Sequence, residues 1–296
     1  MLTRRRFMTL AACAAAAPAS ASAGAGAAPH EWRGAALGAD VTLRVDGGDA
    51  RAARAFFAEA ARVLRSIEDR FSLYRGSDLT RLNALGRLAH PSDDFTALLT
   101  LAGQVHAATA GAFDPTVQPL WQARRLGRDE TAARALAGWD GVRIGPDAVM
   151  LDRPGMALTL NGIAQGHAAD RLAGVARRRG LTRTLIDTGE IRGQGAPGWT
   201  AEVVAPGGTA LRRLTLRDRA LATSAPFGTR IGPQEDGAHI LAADGRAPRW
   251  SVAAISAPTA AVADALSTAA VLMDAPAIEH ALAAFPGARI EVLSPL

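Results

Sequence analysis

Asp264 and Thr268 stand four residues apart in an Ala-rich stretch, Pro258 to Met273. On a helix that spacing stacks a carboxylate above a hydroxyl on one face. Both are hard oxygen ligands. Magnesium takes few protein oxygens and fills its octahedron with water and phosphate oxygens, so such a pair could hold an ion against a diphosphate. Taken alone, the pair more often serves capping or solvated roles. Asn161-Gly162-Ile163-Ala164-Gln165-Gly166 is a second candidate. It joins a strand to a helix, its glycines permit close backbone approach, and the helix start offers free N–H groups to an anion. A tight packing turn is the alternative. Ile186-Asp187-Thr188-Gly189-Glu190-Ile191-Arg192 supplies a strand end, a turn and a charged pair, and Ala222-Thr223-Ser224 sets two hydroxyls at a strand end. Each could face a ligand or be ordinary turn chemistry. Tyr74, the only tyrosine, lies in a loop and could stack on a flat ring or cap a core. Phe113, in Gly111-Ala112-Phe113-Asp114-Pro115-Thr116, reads as core in isolation.

The elements that must position these groups follow from periodicity. Val41–Val45 alternates as a strand, and Ala50 to Arg70 has apolar residues at helical spacing. Phe71 to Asn83 reads as a polar loop. Asp93 to Ala110 reads as a helix capped by Ser92 or Asp93, and Gly111 to Trp121 as a loop with Pro115 and Pro119. Met156 to Asn161 is expected as a short strand. Ile163 to Arg179 is expected as a helix stopped by Gly180, its last-turn arginines suiting the helix dipole. Thr184 to Asp187 reads as a buried strand. Several strands follow between Trp199 and Ser256, then helices over Pro258 to Met273 and Pro276 to Ala284, and a strand from Arg289 to Leu293. This mixed order predicts an α+β fold. No internal repeat, G-x-G-x-x-G or P-loop is present, so the standard nucleotide folds are not signalled.

In order and spacing, these segments resemble the ApbE family of FAD-dependent protein flavin transferases across nearly the whole chain. The ordered set is S-x-Y-x-x-S-x-L-x-R-L-N, G-A-F-D-P-T-V, N-G-I-A-Q-G-H-A-A-D, I-D-T-G-E-I-R, A-T-S, His239-Ile240 and A-D-A-L-S-T-A. T-G-E-I-R and T-S-A-P-F are similar to the NosX-like branch tied to nitrous-oxide reductase maturation. The resemblance implies an ApbE-type, T-fold-like arrangement of mixed sheets and packed helices over residues 31–296. It implies FAD with Mg2+ on its pyrophosphate, transfer of FMN to a Thr or Ser hydroxyl of a target flavoprotein, and release of AMP. The target would be a membrane-bound electron-transfer protein of nitrous-oxide respiration if the branch holds.

Carried over by position, the metal ligands would be the Gly162 carbonyl, Asp264 and Thr268, joined in the fuller set by the Ser267 carbonyl. The flavin site would include Tyr74, Ala112, Phe113, Asp114, Thr159, Gln165 and Ile240. This chain departs from the family at Thr159, Asn161 and Gln165, where Asp, Gly and Lys are common. It also has His239-Ile240-Leu241-Ala242-Ala243 in place of His-Ile-Ile-Asp-Pro. His239 could serve as a catalytic base, since neutral imidazole accepts a proton near pH 7, or as a hydrogen-bonded residue at a strand edge. His167 reads as structural. The altered positions keep two alternatives open: a non-catalytic periplasmic FAD-binding assembly factor, and an FAD pyrophosphatase.

The start of the chain reads as an address. Thr3-Arg4-Arg5-Arg6-Phe7-Met8-Thr9 fits a twin-arginine pattern, an Ala-rich apolar run follows, and Ala19-Ser20-Ala21 and Ala21-Ser22-Ala23 fit small-x-small cleavage sites. The run is too short for a bilayer of ~30 Å. Residues 1–23 are therefore expected as a removable signal for periplasmic export and 24–30 as a linker. Cys13 raises a lipid-anchored alternative, but its place inside the apolar run favours ordinary cleavage. It is the only cysteine, so a cleaved chain has neither disulfide nor thiolate chemistry. The net charge of +5 includes Arg4, Arg5 and Arg6. Beyond them, acids and arginines interleave with no basic block, which argues against nucleic-acid binding.

Overall fold

The computed structural model describes residues 14–16 and 29–296. The expected signal (apart from 14–16) and residues 24–28 of the expected linker lie outside the described residues. In chain order, strands β1 (Ala14–Ala16), β2 (His30–Ala36) and β3 (Ala39–Val45) precede helices α1 (Ala50–Phe71) and α2 (Asp78–Leu85). Then come β4 (Arg87–Ala89), α3 (Asp93–Ala108), α4 (Gln118–Arg125), α5 (Glu130–Ala135), β5 (Val142–Ile144) and β6 (Ala148–Leu151). Helix α6 (Ala164–Arg178) leads into β7 (Thr184–Asp187), β8 (Ile191–Gln194), β9 (Trp199–Val204), β10 (Ala210–Leu216) and β11 (Arg219–Ser224). The chain continues through β12 (Arg230–Ile231), β13 (Gly237–Ala238), β14 (Trp250–Ala257), α7 (Ala260–Ala270), α8 (Ala275–Ala283) and β15 (Arg289–Pro295).

The centre is a seven-stranded sheet in the order β15-β14-β11-β8-β7-β3-β2, with every pairing antiparallel. Strand alternation sends successive residues to opposite faces. Ala222, Ala253, Ile255 and Ile186 join the large core under the helices, while Leu221, Val252, Ala254 and Leu185 join a second core capped by Ala201, Val203 and Leu216 of β9 and β10. On the helical face α7 packs against β11, β14 and α6, and α6 against α1. Helix α1 buries Ala53, Phe56, Ala60, Leu64, Ile67 and Phe71, one stripe at the 3.6-residue period. The α+β reading therefore holds, with helices layered on one face of an antiparallel sheet.

Three local expectations are corrected. Residues 71–83 are not all loop, because α2 starts at Asp78. Ser77 accepts from the Thr80 N–H at 3.0 Å and Thr80 Oγ1 accepts from the Ser77 N–H at 2.8 Å, a reciprocal cap. Residues 111–121 are likewise not all loop. Helix α4 starts at Gln118, with Pro119 in its first turn, where a missing N–H breaks no helical bond. Met156–Asn161 is not a strand. Its backbone bonds go to side chains and loops instead: Asn83 Nδ2 donates to the Leu158 carbonyl at 2.8 Å and Asn83 Oδ1 accepts the Leu158 N–H at 2.7 Å.

Candidate functional site

Helix α7 carries the Asp264–Thr268 pair. Its N-cap residue, Thr259, makes no side-chain cap bond; the cap comes from α6 instead. Asp170 accepts the N–H groups of Ala260 at 2.9 Å and Ala261 at 3.0 Å. Arg192 fixes that carboxylate at 2.8 Å and donates to the Pro258 carbonyl at 2.6 Å. The Glu190–Arg192 pair expected from the sequence is thus corrected: Arg192 extends to the helix layer and pairs with Asp170 of α6. Both helices come close enough that a Cβ at Gly166 would collide with the Ala260 carbonyl.

Asp264 is 3% exposed, and its Oδ2 accepts the Gly166 N–H at 3.0 Å, at the start of α6. Burial pushes its carboxyl up to about 7, opposed by that N–H bond and aided by the charge of Asp170. Thr268 is half-buried and faces Gly162, where a Cβ would stand 2.9 Å from Thr268 Oγ1. Ser267 Oγ donates to the Asp264 carbonyl at 3.0 Å and meets Ser224 Oγ at 2.9 Å, tying α7 to the end of β11. The four metal-ligand candidates therefore meet where α6 begins.

The turn between β7 and β8 closes the site from the sheet. Thr188 Oγ1 donates to the Gln165 carbonyl at 2.8 Å. Gly189 has φ +99°, and a Cβ there would lie 2.9 Å from Gln165 Oε1, so only glycine suits the turn. Glu190 and Thr223 complete this wall. Sequence reading singled out both segments without assigning either side chain. Six buried side-chain polar atoms have no hydrogen-bond partner among the described residues. Three are Nε atoms of arginines bonded elsewhere; the others are Gln165 Nε2, Glu190 Oε2 and Thr223 Oγ1, all in this region. Buried polar atoms are almost always paired, so their concentration here points to a ligand. Burial and the charges of Asp264 and Asp187 hold the Glu190 carboxyl well above its ordinary range, and burial raises Asp187 to about 6.

The flavin candidates line the approach to this point. Tyr74 is 53% exposed, and its hydroxyl accepts from Asn161 Nδ2 at 3.4 Å. The Thr159 N–H donates to the Pro115 carbonyl at 2.8 Å, joining the Asn161-Gly162 turn to the Ala112-Phe113-Asp114 loop. Those three residues are buried. The Asp114 carboxylate accepts from the Thr116 N–H and hydroxyl at 2.8 and 2.6 Å, so it shapes the loop. The Phe113 carbonyl accepts from His106 Nδ1 at 2.9 Å.

His239 sits after β13, its Nδ1 against the carbonyls of Pro226 and Thr229 at 2.9 and 3.0 Å. Carbonyls only accept, so Nδ1 carries the proton and, in the neutral ring, Nε2 is a lone-pair base. Burial lowers its pKa below 6.5 against the pull of those carbonyls. Ile240 packs half-buried on the large core. His167 is structural: Nε2 donates to Asp94 at 3.0 Å and the ring meets Phe71 edge-on. The open polar cavity of about 510 Å³ by Ser66, Arg70, Asp78, Arg81 and His90 includes none of these site residues.

A cluster of buried polar groups at a helix start, roofed by a second helix on an antiparallel sheet, defines a class of α+β fold with a candidate ligand site. The particular family follows from comparison. The ApbE family matches residues 37–292, and the chain belongs to it. FAD:protein FMN transferases of Klebsiella pneumoniae (strain 342) and Salmonella typhimurium are 27% and 28% identical over 197 and 196 residues. Each match covers 58% of this chain and 56% of the relative, so the chain spans little more than half the length of these curated relatives. Among solved structures, the apo flavinyl transferase ApbE of Pseudomonas stutzeri is 25% identical, with TM-score 0.73, covering 86% of this chain and 87% of that one. The apbe protein of Thermotoga maritima, 24% identical with TM-score 0.77, covers 88% and 93% and shares the fold.

Proposed function

We propose that this chain is an FAD:protein FMN transferase that binds FAD with Mg2+ at its diphosphate, moves FMN to a Thr or Ser hydroxyl of a target flavoprotein and releases AMP. The observation that carries this is the convergence of the α6 start, the Gly189 turn, the end of β11 and the Asp264–Thr268 face around buried polar atoms lacking partners. The names of the family relatives support it. The donor chemistry suits Mg2+, since the Asp264 carboxylate, Thr268 hydroxyl and the Gly162 and Ser267 carbonyls are all hard oxygens. Among the described residues no group of three or more His, Cys, Asp or Glu forms a metal cage, consistent with a site that leaves positions for phosphate oxygens. A cation bound there would neutralise diphosphate charge as the bond to AMP breaks.

The chain's own residues then have distinct tasks. Tyr74 offers an exposed ring face to the flavin. Thr159 and the Ala112–Asp114 loop set the wall beside it, with Gln165 and Ile240 within. The target oxygen bonds to the FMN phosphorus, the bridging P–O bond breaks with its electron pair leaving on AMP, and the hydroxyl proton passes to His239 Nε2. Twin-arginine export to the periplasm and a NosX-like target in nitrous-oxide respiration belong to the same proposal. They are supported by Arg4-Arg5-Arg6-Phe7 and by Thr188-Gly189-Glu190-Ile191-Arg192.

The test is incubation of purified protein with FAD, Mg2+ and a peptide bearing an acceptor threonine. Flavin fluorescence on the peptide in a gel supports transfer. AMP and free FMN without labelled peptide indicate a pyrophosphatase, and intact bound FAD a carrier.

A further inference from the structure

Glu190 is the most buried carboxylate that the transfer scheme leaves without a task. It is 6% exposed, in the turn after β7, and its neighbours Gln165 and Thr223 are also 6% exposed. Among the described residues its Oε2 has no hydrogen-bond partner, and neither has the Thr223 hydroxyl. No cation among the described residues pairs with the Glu190 carboxyl. Arg192, two residues on, is committed to Asp170 and the Pro258 carbonyl.

The wall around Glu190 is the wall around Asp264. Gly189 abuts the Gln165 amide, Gly166 donates to Asp264, and Ser224, next to Thr223, meets Ser267 on the α7 turn that bears Asp264. A carboxylate oxygen and a hydroxyl without protein partners are donors a hard cation takes. They are a poor fit to an apolar ligand, which would leave both unsatisfied.

We propose that Glu190 is a second acidic side chain of the divalent-cation site, with the Thr223 hydroxyl beside it, so that the ion answers two carboxylates and not Asp264 alone. This rests on the cation site of the transferase reading. It predicts that cation affinity in the absence of FAD depends on Glu190. A Glu190 that merely fills the core would stay protonated and contribute nothing to binding.

Mn2+ titrated into the full chain, with free Mn2+ followed by electron paramagnetic resonance, tests this alongside thermal melting in EDTA and in Mg2+. Asp264→Ala is the control for the site, and Glu190→Gln and Thr223→Val are the probes. Expected is loss of Mn2+ binding in D264A and a roughly tenfold or greater weakening in E190Q, the scale seen when a metal site loses a supporting group. T223V should weaken binding in the same direction. E190Q should melt no lower than the native chain in EDTA, yet gain less from Mg2+. Native affinity in E190Q, with D264A defective, overturns the role of Glu190 and leaves the transferase reading standing. No Mn2+ binding by the native chain, or native-like binding by D264A, sinks both. An E190Q chain that fails to fold also counts against the proposal, since the amide keeps the size of the side chain and removes only its charge.

Discussion

Replacing Asp264 with Asn should make the metal-free protein more stable at pH 8, although it removes a residue central to the site. The folded Asp264 carboxyl is raised by burial from 3.8 to about 7. A raised carboxyl contributes full stability below pH 3.8, where both states are protonated, and loses it as pH climbs through about 7. At pH 8 the cost of ionising it in the fold has a ceiling of about 4 kcal/mol. The asparagine carbonyl still accepts the Gly166 N–H, but its amide hydrogens enter a site built for an acceptor, which returns about 1–3 kcal/mol. The expected net gain is about 1–3 kcal/mol at pH 8, turning into a loss of about 1–3 kcal/mol toward pH 4, where the ionisation cost is gone and the amide penalty remains. Urea unfolding in EDTA at pH 4, 6 and 8 measures it as a change in midpoint at constant slope. With saturating Mg2+ and FAD the order should reverse, because ligand stabilises only the chain that binds it. A D264N chain less stable than the native one at pH 8 in EDTA, with a gap that ignores pH, would refute the reasoning.

Other outcomes follow from single contacts. His239→Asn should lower transfer to the peptide by about 10²–10⁴-fold while FAD affinity, read by fluorescence quenching, holds. In the native chain the rate should persist as pH falls to 6.5 and drop only below it, since burial depresses the imidazole pKa; a midpoint above 7 would count against His239 as the base. Gly166→Ala drives a methyl onto the Ala260 backbone and should cost at least about 1–3 kcal/mol by overpacking. Unchanged thermal stability would contradict the close helix contact. Asn83→Ala strands both polar groups of Leu158, with an expected loss of about 1–3 kcal/mol per buried group. It should also weaken FAD binding through the Thr159–Gly162 segment, and calorimetry with FAD would detect either.

Sequence alone determined the pieces whose signal is local. The apolar stripe of α1, the buried run of β7 and the caps of α3 are read within one element, because periodicity and capping act over a few residues. The four-residue spacing of Asp264 and Thr268 had to place them on one face once α7 formed. The ordered motifs pointed to a family, and the family to a site. How those motifs are used depends on contacts between segments far apart in the chain. Asn83 lies 75 residues from Leu158, yet it supplies both of that residue's backbone bonds, which is why an expected strand is a braced turn. Arg192 serves Asp170, and Asp170 caps a helix 90 residues further on. Glu190 and Asp264 become neighbours only because a strand turn and a helix both abut the start of α6. Such pairings are set by burial and by the need to satisfy polar groups across distant segments, and one stretch of chain carries no local trace of either.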